Sequence, residues 1–417
     1  MSTAESPQGF RPFIAASGLT NLADGVAVVA WAWLASLLTR DPLMIALVPV
    51  ALRLPWFLFA LPAGVVTDRV DRRQLILWMD ILRGIGFALV ALVVLSAGPL
   101  DAPQTAGAPP LLYLIIGAAF LVGGAEVFRD NAAQTMLPAI VPHAQLERAN
   151  GRLWSVELVG NALLGPAVGA FLIAWMVAAP FALNAGAYVL AILLLLQVRG
   201  SFRPAQTQRR DWRAELREGY DFLRDAPLLR ALALITGFWN LLFEMVMIAL
   251  ILHVQENLNL SAQAYGLILA AGAVGGILGG WYGEVVVRFL GPMRTAQWML
   301  VLSAPAFLAM ALAPGAVSLG VVLMLFNFTG LVWNTVSVSY RQRMIPDALL
   351  GRVNSLYRLL AWGMMPVGLL LSGLLVRLAE GVAERPVALI TPFIAGTIGA
   401  CLLGIWGWRQ LSRWWPE

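Results

Sequence analysis

Lysine is absent from the 417-residue chain, so all 28 of its basic side chains are arginines. That excludes a P-loop, whose lysine reaches the nucleotide phosphates, and Schiff-base chemistry on a lysine amine. Cysteine is nearly absent too. Cys401 stands alone inside the last apolar run, so neither an intramolecular disulfide nor a cysteine zinc site can form. The two histidines, His143 and His253, are too few and too far apart in sequence to suggest a metal cluster. No G-x-S-x-G nucleophile elbow occurs. These absences point away from an enzyme, from a bound cofactor or metal and from a nucleic-acid partner. Any work the protein does must draw on something other than its own ATP hydrolysis.

Charge is also scarce, at 12% of residues against roughly 25% in soluble proteins. Hydrophobic residues make up 60% and mean hydropathy is +0.78. Repeated apolar runs near the ~20 residues needed to cross a bilayer predict an all-α polytopic membrane protein. A β-barrel would show alternating segments of about ten residues. Twelve spans are predicted, at 12–38, 43–67, 74–97, 110–137, 150–174, 179–198, 228–254, 263–287, 293–313, 316–342, 353–378 and 387–411. Met1 to Arg11 lacks the features of a signal peptide, so the first span is expected to stay in the mature protein.

Arginines alternate across the connections. Those after spans 2, 4, 6, 8 and 10 carry Arg69, Arg72, Arg73, Arg148, Arg203, Arg209, Arg210, Arg288, Arg294, Arg343 and Arg352. Those after spans 3, 5, 7 and 9 carry none; Arg40, Arg377 and Arg385 are the exceptions to the pattern. The positive-inside rule places both termini and the 199–227 segment in the cytoplasm, as expected in a bacterial inner membrane. That segment separates an N-terminal six-span bundle, 1–198, from a C-terminal one, 228–417. Within it Trp212, Leu216, Tyr220 and Leu223 fall at helical spacing. They predict an amphipathic helix tying the halves together, either on the inner leaflet or as a solvated linker.

The halves look repeated. Pro142-His-Ala144-Gln-Leu146-Glu-Arg148-Ala-Asn150 matches Pro346-Asp-Ala348-Leu-Leu350-Gly-Arg352-Val-Asn354, and Gly64-x-x-x-Asp68-x-x-x-Arg72 matches Gly280-x-x-x-Glu284-x-x-x-Arg288. The matches fall at equivalent places in two six-span halves, which signals parallel internal repeats. Twelve spans with Gly64-x-x-x-Asp68-Arg69-x-x-Arg72-Arg73 between spans 2 and 3 resemble the major facilitator superfamily. Further strings resemble its bacterial drug, macrolide and siderophore exporter branch, enterobactin exporters included. They are Leu22-Ala-Asp24-Gly25, the run from Arg53 through Pro55, Trp56 and Pro62 to Gly64, and Ala125-Glu126-Val-Phe-Arg129-Asp130-Asn131. The resemblance implies two pseudo-symmetric six-helix bundles around a central cavity lined by helices 1, 4, 7 and 10.

Gly64, lacking a side chain, is expected to let helices 2 and 3 approach closely. Asp68 is placed where it can face the start of helix 11, near Gly351 to Asn354, meeting unpaired N–H groups and the positive end of a helix dipole. Glu284 would meet the start of helix 5, near Asn150. Such a pair would latch the cytoplasmic side closed, a gating role the resemblance also implies. In the other reading Asp68, Arg69, Arg72 and Arg73 only set topology.

Charges inside spans are the other signal. Asp24 lies in span 1, Arg53 in span 2, Glu126, Arg129 and Asp130 in span 4, Glu157 in span 5 and Glu244 in span 7. An unpaired charge at the bilayer centre costs ~2.5–3.5 kcal/mol, so these should face the bundle interior, pair, or be protonated. Glu126 and Asp130 share a helix face and make a proton carrier plausible. Asp24 is the leading proton or cation site. The bland alternative is static pairing, Asp24 with Arg53 and Arg129 with Glu157. Asp80 and Arg83 read as structural partners of the hinge.

In span 5, Asn161-x-x-x-Gly165-Pro166-x-x-Gly169-Ala170 resembles the antiporter signature, departing from it at both ends. Span 8, rich in glycine from Gly272 to Gly280, reads as a close-packing surface. Trp239, Asn240, Asn327, Trp333 and Asn334 are candidate cavity walls suited to amphipathic or cationic ligands. The expectation is a monomeric secondary transporter, exchanging protons for amphipathic small molecules by alternating access. An importer, an exporter of one endogenous product such as a siderophore, and a non-transporting receptor are the alternatives.

Overall fold

The computed structural model describes residues 9–67, 69–98, 100, 109–142, 146–203 and 212–415. They form helices: α1 (Phe10–Leu38), α2 (Pro42–Thr67), α3 (Arg72–Ser96), α4 (Pro110–Ile140), α5 (Leu146–Glu157), α6 (Gly165–Trp175), α7 (Ala179–Leu195), α8 (Trp212–Asp225) and α9 (Pro227–Leu252). There follow α10 (Ala262–Leu290), α11 (Pro292–Val301), α12 (Ser303–Leu312), α13 (Ala316–Met344), α14 (Asp347–Trp362), α15 (Met365–Ala379), α16 (Arg385–Ala388) and α17 (Thr391–Trp414). Many start on proline, whose missing N–H costs nothing in the first turn: Pro110, Pro166, Pro180, Pro227, Pro292, Pro366 and Pro392. The tight α10–α11 connection turns at Gly291, whose φ of 79° favours glycine.

Eleven helical stretches among the described residues are long and apolar enough to cross a membrane. Each overlaps one expected span. The remaining one, span 6, corresponds to the shorter apolar α7 of 17 residues. The chain is an all-α polytopic membrane protein, because a lipid-embedded backbone must satisfy its own N–H and C=O groups.

The contacts divide the chain into two compact units. One comprises Met1–Arg40, Leu47–Thr207 and Ala262–Ala270; the other comprises Asp41–Ala46, Gln208–Ser261 and Ala271–Glu417. In the first unit α1 packs on α5, α6 and α7, and α3 on α4 and α7. A π-helical segment, Leu158–Leu164, links α5 to α6 and ends just before Gly165-Pro166. Its wider turn relieves the steric demand of Pro166, whose ring would crowd the preceding turn. α1 crosses there backbone to backbone: a Cβ on Gly25 would lie 2.4 Å from the Asn161 carbonyl oxygen.

In the second unit α9 packs on α14, α15 and α17, and α12 on α13 and α17. The glycines of α10 do form a close-packing surface, against α13: a Cβ on Gly275 would sit 1.8 Å from the Met324 carbonyl oxygen. Helix α8 forms as predicted, but its Leu223 is buried in protein with Leu229, Ile345 and Val353. It therefore docks on the second unit through this residue instead of burying it in the leaflet. Tyr220 is exposed, and the side chains of Trp212 and Leu216 lie outside the described set.

Two of the arginines that break the alternating charge pattern have acidic partners. Arg385 grips Glu256 through Nε (2.5 Å) and Nη2 (2.9 Å) and also pairs with Glu380. Arg377 lies 3.9 Å from Asp41.

Glycine packing makes a clear prediction. Gly275→Val should destabilise the protein by about 1–3 kcal/mol or block folding, because it forces α10 and α13 apart. Gly280→Ala, whose added methyl group would meet nothing within 4 Å, should be neutral to slightly stabilising. Thermal unfolding in detergent would separate the two outcomes.

Candidate functional site

The hinge after α2 is built from helix ends. Asp71 caps α3 by accepting from the Gln74 N–H (3.1 Å), and its other oxygen accepts from the Phe202 N–H (2.8 Å). Arg72 donates to the Thr135 carbonyl (3.0 Å); Arg73 donates to those of Leu195 (3.1 Å) and Leu196 (2.9 Å). Arg72 thus sits on a carbonyl oxygen within α4, and Arg73 on two at the α7 end, where the helix dipole favours positive charge. Arg69 is exposed, as are Glu284 and Arg288 on α10. Asp68 lies outside the described residues, and so do the side chains of Gly351's neighbours Arg352 and Asn354. The expected role of Gly64 is corrected here. A Cβ there would meet nothing within 4 Å, so close approach of α2 and α3 does not depend on it in this structure.

The intramembrane charges converge in the first unit. Arg83 on α3 pairs with Asp24 on α1 and lies 3.5 Å from Glu126 on α4. Tyr188 on α7 donates to Asp24 (3.0 Å), and the Arg83 guanidinium lies 4.8 Å from the centre of its ring. Arg129 on α4 donates through Nη1 to Asp130 (3.1 Å) and through Nη2 to Thr20 on α1 (2.9 Å). Its Nε is 3.6 Å from Asp80 on α3. Asn184 on α7 donates to the Ala23 carbonyl (2.8 Å), holding the α1 backbone beside Asp24.

The cluster has a front and a back. Asp80, Arg83 and Arg129 are buried, whereas the side chains of Asp24, Glu126 and Asp130 are 19%, 25% and 33% exposed. Four acids face two arginines, so the site carries excess negative charge unless protons or a cation offset it. Arg53 and Glu157, both exposed, are near enough to interact electrostatically with Glu126 and with Arg129 and Asp130 respectively.

Several expectations change. Asp24 pairs with Arg83, not Arg53, because α3 packs on α7 beside α1 and brings Arg83 to it. Arg129 pairs with Asp130 and Asp80, not Glu157. Asp80 and Arg83 belong to this buried cluster, although sequence proximity to the hinge assigned them there. Their three-residue spacing inside an apolar span was the available signal; Tyr188, a lone hydroxyl in an apolar helix, offered almost none.

The candidate walls lie in the second unit. Trp239 on α9 donates to Ser303 (2.8 Å) and stacks with Phe243 and Phe326 at 5.3 and 5.4 Å. Asn240 is buried and donates to the Ala361 carbonyl (2.9 Å), a helix-packing bond. Trp333 on α13 is buried, Asn327 half-buried and Asn334 exposed, while Glu244 on α9 is half-buried. In the first unit an apolar groove of about 370 Å³ is lined by Gly18 and Leu22 of α1, by Ser155 and Val156 of α5, and by Val159, Gly160 and Leu164.

The fold and its buried charges define a class: a polytopic transporter of the major facilitator kind, whose solved members have two six-helix halves. The sequence profile described as "Transmembrane secretion effector" matches residues 5–403, and the chain belongs to that family. It is similar to "Multidrug efflux pump Tap" of Mycolicibacterium fortuitum, 27% identical over 395 residues that cover 92% of this chain and 90% of the pump. It is also similar to "Enterobactin exporter EntS" of Escherichia coli, 28% identical over 312 residues, with 72% and 69% covered. A crystal structure of a bacterial homologue of the iron transporter ferroportin, in an inward-facing state, matches with a TM-score of 0.74 at 17% identity, covering 99% and 100% of the chains. That last likeness is one of fold.

The charge count predicts unequal mutants. Arg83→Gln leaves Asp24 and Glu126 without their buried cation and should cost about 3–5 kcal/mol. Asp24→Asn lowers the excess negative charge and should cost clearly less. Unfolding temperatures of the two purified variants would check the order.

Proposed function

We propose that the protein is a secondary active exporter of amphipathic, preferentially cationic small molecules, driven by proton exchange through alternating access. The observation that carries this reading is the surplus of acids at the accessible front of the cluster. Asp24, Glu126 and Asp130 present more negative charge than Arg83 and Arg129 offset. A low-dielectric site in that condition favours binding protons or a cation, and the two compete for the same carboxylates. An apolar groove in the same unit supports an amphipathic substrate, since its lining can hold a hydrophobic body. Likeness to a multidrug efflux pump supports the direction and the breadth.

The second reading is an exporter of one endogenous product, favoured by likeness to an enterobactin exporter. In both, the protein acts as a monomer in a bacterial inner membrane with both termini cytoplasmic. Asp68 and Glu284 serve as the paired cytoplasmic latch, and Asp68→Asn should slow turnover more than it weakens substrate binding.

The deciding experiment uses proteoliposomes with and without an imposed pH gradient, scored with a panel of lipophilic cations. Wild type should move them only with the gradient, and Asp24→Asn should lose gradient-driven transport by at least about tenfold, the equivalent of ~1.4 kcal/mol of coupling. Gradient-driven transport that survives in Asp24→Asn would remove Asp24 from the proton path. Orientation is checked separately, by labelling single cysteines in a Cys401→Ser background with an impermeant maleimide. Cysteines within 199–227 should react only after the cells are opened.

A further inference from the structure

Asp80, which the sequence associates only with the hinge, is the most deeply buried acid of the cluster, with no exposed surface. Among the described residues neither of its carboxylate oxygens accepts a hydrogen bond. Its nearest ion-pair partner is Arg129 Nε, at 3.6 Å, which is beyond hydrogen-bond length; that N–H is itself buried with no acceptor. The same guanidinium spends its other two nitrogens on Asp130, at the accessible front, and on Thr20. Arg129 therefore stands between two carboxylates, bonded to the one that solvent and substrate can reach and just short of the one they cannot. A buried carboxylate and a buried N–H left unbonded at this separation form a contact that a small side-chain movement completes.

We propose that Asp80 is a positioning residue that receives Arg129 during the transport cycle. When a proton or a cationic substrate neutralises Asp130, Arg129 loses its front partner and closes on Asp80; when Asp130 is emptied, Arg129 returns. Because Asp80 lies on α3 and Arg129 on α4, loading of the accessible site tightens the α3–α4 contact, so the inside of the bundle registers what is bound at its face. The charged and titratable groups around this exchange are Asp24 on α1, Arg83 on α3, Glu126 on α4 and Tyr188 on α7, with Glu157 on α5 at the margin. Arg83 cannot replace Arg129 without leaving Asp24 and Glu126. The functional meaning of the exchange rests on the proton-coupled transport reading, but its physical core does not.

A double-mutant cycle tests that core without any transport. Asp80→Asn and Asp130→Asn are made singly and together, and unfolding temperatures are measured in detergent. Each single variant leaves Arg129 one carboxylate, whereas the double variant leaves it none. The double loss should exceed the sum of the single losses by more than about 1 °C, a small shift because unfolding entropy grows with chain length. Additive losses would overturn the proposal. If Asp80→Asn does not fold, the charge-balanced pair Asp80→Asn with Arg129→Gln should restore folding; failure to do so would overturn it as well. Transport then separates the two ideas, with ethidium as the probe in proteoliposomes. Asp80→Asn should lose pH-gradient-driven ethidium movement at least tenfold and regain part of it in Asp80→Glu. Non-additive stability with no ethidium movement by wild type would leave the Arg129 exchange standing and sink the transport reading for this probe. Unchanged gradient-driven movement in Asp80→Asn would sink the exchange as a coupling device.

Discussion

Two buried guanidinium groups govern the first unit. Arginine keeps its charge under all ordinary conditions, so Arg83 and Arg129 cannot escape burial by losing a proton. Each must be met by carboxylates, and Asp24, Asp80 and Glu126 do so by bringing α1, α3 and α4 to one place, with Tyr188 of α7 beside them. Asp24, Asp80, Glu126 and Tyr188 are positioned by that demand. The same demand produces the site's usefulness. More acids than arginines gather there, and what the arginines leave unbalanced is available to protons and cations.

Around this charged centre the packing follows the rules of a lipid solvent. Helices gain little from hiding apolar surface when the surroundings are equally apolar, so association depends on close contact. Gly25 against the Asn161 backbone, and Gly275 against Met324, allow helix axes to approach until main chains touch. The first of these crossings lies one residue from Asp24, and on its other side the π-helical Leu158–Leu164 segment widens the turn before Pro166. The helix that carries the leading acid is thus wedged between an ion cluster on one face and an irregular, glycine-lined helix on the other.

The arginines outside the bundle do different work. Arg72 binds a carbonyl oxygen of α4, Arg73 binds two at the α7 end, and Asp71 ties the α3 start to Phe202. A motif that reads as a topology signal is therefore also a clamp within the first unit. The exceptional Arg377 and Arg385 are held by acids.

Much of the architecture was legible in the sequence because its causes are local. Span number follows from apolar length, helix starts follow from proline, and the superfamily follows from short strings such as Gly64 to Arg73 and their echo at Gly280 to Arg288. The presence of charges in spans 1 and 4 was equally plain. Their partners were not. Nearness along the chain or between neighbouring spans offers Arg53 to Asp24 and Glu157 to Arg129 as static partners, and associates Asp80 and Arg83 with the hinge. Which guanidinium meets which carboxylate depends on helix rotation and on which helices are neighbours, and both are set by packing between segments dozens of residues apart. Sequence by itself determined that this chain crosses a membrane many times and carries charge inside it. Only the tertiary structure decided that Asp80 lies behind Arg129 and Asp24 beside Arg83, because ion pairing acts across space and is blind to order along the chain.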